Sequence, residues 1–274
     1  MKCRKCTLIL LLAAIFLFPR FDAAFGAMSL NIVGDMTHQF TLDQGARIKG
    51  EIQVENQGDE SGEVKIYLAD YLHTSDGRNL FQKPGTVERS NAPWFSVSPS
   101  QSVIQPKGTL NVNYTIAVPA DPKLKGTYWS VIIVEPVPKA LVTPPTSKDD
   151  VNMQVITIIR HAVQMITNIG KGGDAKIAFK ERQLVKEEGK RILKLDLENT
   201  GEKLLSPHVW AELFDAKGQS TGQIDGSQRR IYPGCSVRFQ MDMTRIPAGS
   251  YKAVVVADNG DENVFGANYT LDLK

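Results

Sequence analysis

The chain has 274 residues, of which 42% are hydrophobic, and its formal net charge at pH 7 is +2. Because no long basic stripe accompanies this nearly neutral balance, there is no electrostatic reason to expect a nucleic-acid partner. The length exceeds what one small β-sandwich needs and suits two domains of ordinary size.

The amino terminus has the features of a secretory signal peptide. A basic segment at residues 2–5 precedes an unbroken apolar run at residues 7–18, and Ala24 and Gly26 supply small residues at the cleavage positions. The run is too short to cross a bilayer, and no later segment approaches about 20 consecutive apolar residues. We expect residues 1–26 to be removed and the mature chain to be soluble and exported, to the periplasm first and to the exterior as second choice, without an integral membrane segment.

Cysteine usage argues against redox or metal chemistry. Cys3 and Cys6 have C-x-x-C spacing but precede the apolar run, so they leave with the signal peptide. Cys235 then remains alone in the mature chain. Its position after the Tyr232-Pro-Gly234 turn favours a buried small side chain, with intermolecular pairing as the alternative.

Alternation of apolar and polar residues dominates the mature chain, and sustained helical periodicity is absent, so the sequence predicts an all-β fold. Turn sequences such as Ser75-Asp-Gly77 and Asn56-Gln-Gly58 separate the candidate strands. The candidate strands of the first half are residues 30–33, 39–42, 47–55, 63–73, 94–97, 109–118, 127–135 and 152–167. Their number and spacing match an immunoglobulin-like sandwich.

A glycine-rich segment at residues 169–174 divides the chain, because adjacent glycines weaken a strand but suit a flexible hinge that permits several angles between domains. We therefore expect an N-terminal immunoglobulin-like domain at residues 27–169 and a C-terminal one at residues 170–274. The candidate strands of the second domain are residues 176–179, 190–198, 208–215, 236–242, 251–258 and 264–273. The last two are joined by a tight turn at residues 259–262, as in a hairpin.

The stretch from Gly126 to Ile169 is the most informative. A strand at residues 127–135 is followed by a proline-rich loop through Asp150 and then by a second long strand at residues 151–169. One interpretation is a central strand buried on both faces. The other is a sheet edge whose first half projects an apolar row toward a partner, which would make this a binding protein.

Catalytic and metal-binding patterns are missing from the sequence. The four histidines lie far apart and show no metal-site spacing, no G-x-S-x-G elbow occurs, and Cys235 has no recognisable catalytic signature around it. The sequence therefore predicts neither an enzyme nor a cofactor.

The order of three motifs resembles the periplasmic chaperones of the chaperone/usher pilus pathway. These motifs are Phe95-Ser-Val-Ser-Pro99, Ile104-Gln-Pro-Lys-Gly108 and Tyr128-Trp-Ser-Val-Ile-Ile-Val-Glu-Pro-Val-Pro138, followed after the loop by Met153-Gln-Val-Ile-Thr-Ile-Ile-Arg160. The resemblance implies that the last strand of the first domain lends alternate side chains to an incomplete pilin subunit, a process called donor-strand complementation. It implies a subunit of a pilus or other surface structure as partner, with an outer-membrane usher as a further one. The donated row would be Met153, Val155, Thr157 and Ile159.

The resemblance also implies a basic pair that holds the subunit's terminal carboxylate, with one residue in the first strand and one in the last. Here the first strand offers Thr37 and His38, and the last offers Ala162, with Arg160 two residues earlier as the candidate anchor.

A second resemblance leaves an alternative open. The pattern from Pro119 to Lys125-Gly-Thr-Tyr128 is similar to envelope proteins of the WxL-interacting type. It implies a non-catalytic structural or adhesive envelope protein, in which the strand after the loop would be internal and an aromatic or acidic surface patch would bind the partner.

Overall fold

The computed structural model describes residues 28–138 and 157–274. The predicted signal peptide, and Met153 and Val155 of the predicted donor row, lie outside the described residues. Within the two described ranges, no helix has the length and apolarity that a membrane crossing requires.

The first half forms two sheets that pack face to face. Its strands are β1 (Leu30–Val33), β2 (Thr37–Leu42), β3 (Arg47–Asn56), β4 (Gly62–His73), β5 (Asn79–Gln82), β6 (Phe95–Ser98), β7 (Gln101–Ile104), β8 (Thr109–Ala117), β9 (Gly126–Pro136) and β10 (His161–Ile169), with a 3-10 turn at Ala92–Trp94. One sheet has the order β1-β3-β8-β6, and the other has the order β2-β10-β9-β4-β5 with β7 added beside β4. The chain therefore changes sheets between β1 and β2, where Gly34 takes a positive φ of 93°.

The second half forms another pair of sheets. Its strands are β11 (Ile177–Glu187), β12 (Lys190–Asn199), β13 (His208–Phe214), β14 (Ser220–Gln228), β15 (Ser236–Asp242), β16 (Gly249–Asp258) and β17 (Val264–Leu273). The sheet orders are β11-β12-β15 and β14-β13-β16-β17. The predicted all-β class with two immunoglobulin-like sandwiches is thus confirmed, as is the hairpin that joins β16 to β17.

Side-chain alternation explains these strands. In β8, Val112, Tyr114 and Ile116 are buried between the sheets, while Asn111 and Asn113 face solvent. β9 is buried almost throughout because it lies between β10 and β4 and is covered on both faces. Its Trp129, together with Ile166 of β10, packs into the core cluster of the second sandwich. The two sandwiches therefore share packed apolar side chains.

The predicted strand at residues 152–167 is wrong at residues 157–160, and residues 152–156 lie outside the described part of the chain. β10 starts at His161, and residues 157–160 belong to no strand. In the register with β9, His161 opposes Val134, so the ladder stops close to Pro136, which has no N–H to donate. The proline, rather than the alternation of β10 itself, sets this boundary.

Alternation also misses three of the observed strands, which are β5, β7 and β14, and it predicts only the beginning of β11. β14 carries Gly222 and Gly226 among polar residues, and its pairing with β13 shifts register twice. β11 contains a shift between Phe179 and Arg182. A bulge interrupts the period of two on which a strand prediction depends.

Cys235 is buried with 1% exposure, which confirms the expected structural position. Burial raises the pKa of its thiol to about 11. Because only the thiolate reacts with disulfide reagents, we expect native mature protein to show almost no reaction with Ellman's reagent at pH 7, and one thiol to react after unfolding. A Val264→Cys variant, whose new thiol lies at a 58% exposed position, is the positive control. Rapid reaction of native Cys235 would contradict its burial.

Candidate functional site

The pairing of β10 changes along its length. It pairs antiparallel with β9 from His161 to Ile169, but it pairs with β2 only from Gln164 onward, where Gln164 opposes Thr37. The Gln164 N–H donates to the Met36 carbonyl at 2.8 Å, at the point where β2 begins. Among the described strands, none pairs with His161–Val163 on the side of β10 that β2 occupies from Gln164 onward. We call residues 161–163 the free edge.

Burial along one side-chain row of β10 falls steeply toward the free edge. Val163 and Met165 are fully buried in the core of the first sandwich. His161 is half-buried, and its Nε2 lies 3.0 Å from the Leu30 carbonyl oxygen. Ile159 of the predicted donor row is 69% exposed, and Thr157 is also exposed. Both described members of that row are therefore accessible for contact.

Arg160 does not lie near Thr37 and Gln164, where the free edge meets β2. Its guanidinium carbon is 4.8 Å from the centroid of the Phe81 ring, on the outer face of the sheet that contains β4, β5 and β9. Tyr67 on the same face donates a hydrogen bond to Glu135. The structure does not bring Arg160 together with Thr37.

A cleft of about 620 Å³ lies between the two sandwiches, at the point where the free edge ends. Thr37 and Gln164 line it from the first sandwich, and Arg229, Arg230 and Tyr232 line it from the second. The Tyr232 hydroxyl donates to Gln164 Oε1 at 2.6 Å, and Arg230 Nη1 donates to Thr37 Oγ1 at 3.3 Å. Oε1 accepts this hydrogen bond, and the Nε2 amino group of Gln164 has no acceptor among the described residues, so it can donate to a ligand.

Some charges of the cleft are paired. Arg238 forms two hydrogen bonds with Asp196, at 2.6 and 2.7 Å, and Lys194 lies 2.5 Å from Glu187. Asp76 is paired with Arg78 at 2.7 Å.

Arg229 and Arg230, by contrast, have no carboxylate within ion-pair distance in the described part of the chain. Burial and the neighbouring Arg229 lower the pKa of His73, so that ring is neutral at neutral pH. Two uncompensated guanidinium groups therefore give this end of the cleft the chemistry of an anion site.

Sequence reasoning missed Gln164, Arg230 and Tyr232 as site residues. The available signal was the arginine pair Arg229-Arg230, one residue before the Tyr232-Pro-Gly234 turn. Since Tyr232 lies 68 residues from its partner Gln164, no local pattern could join them. Residues 28–138 and 157–274 contain no group of three or more His, Cys, Asp or Glu side chains placed to hold a metal ion.

Neither a family model nor a curated protein matches the chain. Solved structures with a similar arrangement include a chaperone–tip adhesin complex of CFA/I fimbriae, which is 12% identical, with a TM-score of 0.48, and covers 88% of this chain and 98% of its own. The Escherichia coli chaperone DraB is 13% identical (TM-score 0.43; 90% and 97% covered). The Salmonella enterica SafA pilin in complex with the SafB chaperone gives 13% identity (TM-score 0.42; 89% and 97% covered). Each of the three contains a chaperone.

Proposed function

We propose that this chain is a non-catalytic, chaperone-like protein of the periplasm that holds a subunit of a pilus or another surface structure by strand addition. The observation that carries the proposal is the free edge of β10, which ends at a cleft whose Arg229 and Arg230 have no carboxylate partner among the described residues. The predicted signal peptide supports export.

Strand addition is the interaction that the free edge favours. Backbone N–H and C=O groups on an unpaired side of a strand are satisfied when an extended segment from a partner continues the sheet. β2 already occupies this side of β10 from Gln164 onward. An added strand must therefore end near the Thr37–Gln164 pair.

The exposed row supplies the apolar contacts of this proposal. In the sequence, Ile159 and Thr157 alternate in phase with Val163, and both are exposed; Val155 and Met153 follow the same alternation. Such a row can fill a groove in an incomplete subunit, where each buried Å² of apolar surface is worth about 25 cal/mol.

The charge of the cleft favours one direction for the added strand. A segment parallel to β10, as β2 is, would bring its carboxyl terminus to Arg230 and the Nε2 group of Gln164. An antiparallel segment would bring a terminal amine, which two guanidinium groups repel. In this chain Arg230, rather than the sequence candidate Arg160, is the proposed anchor for a terminal carboxylate.

Hydrogen exchange of single amides tests whether the edge is free. Backbone N–H groups alternate sides along a strand, so the Ala162 N–H points to the same side as that of Gln164, which is bonded to Met36. We expect the Ala162 amide to exchange nearly as fast as in an open chain, and the Gln164 and Val163 amides to be strongly protected. Equal protection of Ala162 and Gln164 would mean that the edge is covered, and the alternative of an envelope protein with an internal strand would replace strand addition.

A further inference from the structure

The glycine-rich segment between β10 and β11 is packed tightly at Gly173, which is not expected of a flexible hinge. Gly173 has a positive φ of 99°, and a Cβ atom at this residue would lie 2.8 Å from the Cα of Gly126. Gly126 has a positive φ of 77°, and a Cβ there would lie 2.3 Å from the carbonyl oxygen of Glu202. Three backbone segments therefore meet at a distance that only glycine permits.

Glu202 of the second sandwich bonds to both sides of this contact. Its carbonyl accepts from the Thr127 N–H at 2.7 Å, and its own N–H donates to the Asp174 carbonyl at 2.7 Å. Its carboxylate lies 3.1 Å from Arg89 and 3.0 Å from Lys125. The hydrogen bond with the Lys125 ammonium is the main reason why the pKa of the Glu202 carboxyl lies below its usual value, so Glu202 stays charged at neutral pH.

Two further contacts lie away from Glu202. The Trp129 and Tyr232 rings are stacked, with centroids 4.9 Å apart and planes inclined by 24°. At the tip of the β4–β5 hairpin, the Ser75 N–H donates to Ser236 Oγ at 2.9 Å. The Glu202 contacts, the stacked rings and the hairpin tip are separate regions. A rotation of one sandwich about any one of them would therefore break the contacts in the other two.

We propose that Gly173, Asp174 and Gly126 form a closed joint, and that Glu202 is the positioning residue that keeps the two sandwiches at one fixed angle. Arg230 and Thr37 line the cleft from different sandwiches, so the angle between the sandwiches sets the width of the cleft. With that angle fixed, the cleft has the same width before and after a partner binds. A preformed site spares the partner the cost of ordering two domains. The rigidity is independent of the proposed function, whereas its use in holding a carboxylate rests on that function.

The distance between spin labels on the two sandwiches tests this joint. We would place labels at residues 49 and 217, where Lys49 and Lys217 are exposed, and measure double electron–electron resonance on the mature protein without any ligand. The buried thiol of Cys235 stays unlabelled. We expect one narrow distance distribution. A broad or multiple distribution in the unsubstituted protein would overturn the proposal, even if strand binding is real.

Paired glycine substitutions separate the joint from general effects on the chain. Gly126→Ala places a Cβ against the Glu202 carbonyl and is expected to broaden or shift the distribution. Gly172→Ala is the matched control, because its Cβ would meet its nearest neighbour, Lys125 Cβ, at an ordinary 3.4 Å, and we expect no change. An identical narrow distribution for Gly126→Ala would contradict the joint.

Glu202→Ala and Glu202→Gln give a second route that does not strain the backbone. The alanine variant loses both ion pairs and is expected to broaden the distribution, while near-ultraviolet circular dichroism shows that both cores remain packed. The glutamine variant keeps hydrogen-bonding capacity and is expected to restore part of the narrow peak. If neither variant changes the distribution, Glu202 is not the positioning residue.

Discussion

Ile159→Asp is expected to abolish capture of an incomplete pilin subunit while leaving the melting temperature of the free protein nearly unchanged. The side chain is 69% exposed, so its carboxylate stays in water in the free protein. In a complex formed by strand addition the same carboxylate would enter an apolar groove, and burying an unpaired charge costs several kcal/mol. Capture can be measured as the fraction of subunit kept soluble during refolding in the presence of the purified protein.

Val163→Asp is the control for that experiment, because Val163 lies in the same row but is fully buried in the core of the first sandwich. We expect it to destabilise the fold by more than about 3 kcal/mol, as judged by urea unfolding. Ile159→Asp should therefore lose capture with its fold intact, and Val163→Asp should lose both. A stably folded Ile159→Asp protein that captures subunit as well as the natural chain does would remove the strand-addition proposal.

Arg230→Glu is expected to remove the preference for a free carboxyl terminus. The probe is a pair of synthetic peptides with the last-strand sequence of a pilin subunit, one ending in a carboxylate and the other in an amide. A hydrogen bond to a charged group is worth about 1.5–3 kcal/mol, so we expect the natural chain to bind the acid roughly 10- to 100-fold more tightly than the amide. In Arg230→Glu the two affinities should become equal or reverse.

Arg160→Glu is the matched variant for the anchor, since it reverses the charge of an arginine that lies over Phe81 on the outer face of the sheet. Its preference for the acid peptide should be unchanged. Loss of the preference in Arg160→Glu, together with its retention in Arg230→Glu, would return the anchor to the residue that the sequence resemblance suggested.

The contrast between Arg160 and Arg230 shows how far the sequence could go. The period of two in Val112, Tyr114 and Ile116 is local, so it predicts strands and the all-β class without any knowledge of the partner strand. The end of the sheet at Pro136 and the beginning of β2 at Thr37 are properties of pairs of segments. Alternation in one segment therefore could not show where β10 is paired and where its edge is free.

The cleft was even less accessible to sequence reasoning. Gln164 is an ordinary polar residue in a predicted strand, and it becomes a site residue only because Tyr232 of the other sandwich fixes its amide. In the same way, Gly170, Gly172 and Gly173 predict a flexible link unless the close approach of Gly126 and Glu202 is known. Composition describes what a segment can do, and tertiary contacts decide which of those possibilities is used.

The position at which β2 begins has a consequence for partner selection. Because β2 closes the edge at Gln164, the last residue of a partner strand would lie at the cleft. The position of its carboxyl end would therefore set the register of the whole added strand. Side chains of an extended segment alternate between two faces. One extra residue at the carboxyl end would therefore move every apolar side chain of the added strand to the opposite face of the sheet. The cleft would therefore select partners by the register of their side chains as well as by charge. A subunit lengthened by a single carboxy-terminal residue should bind less tightly than one lengthened by two.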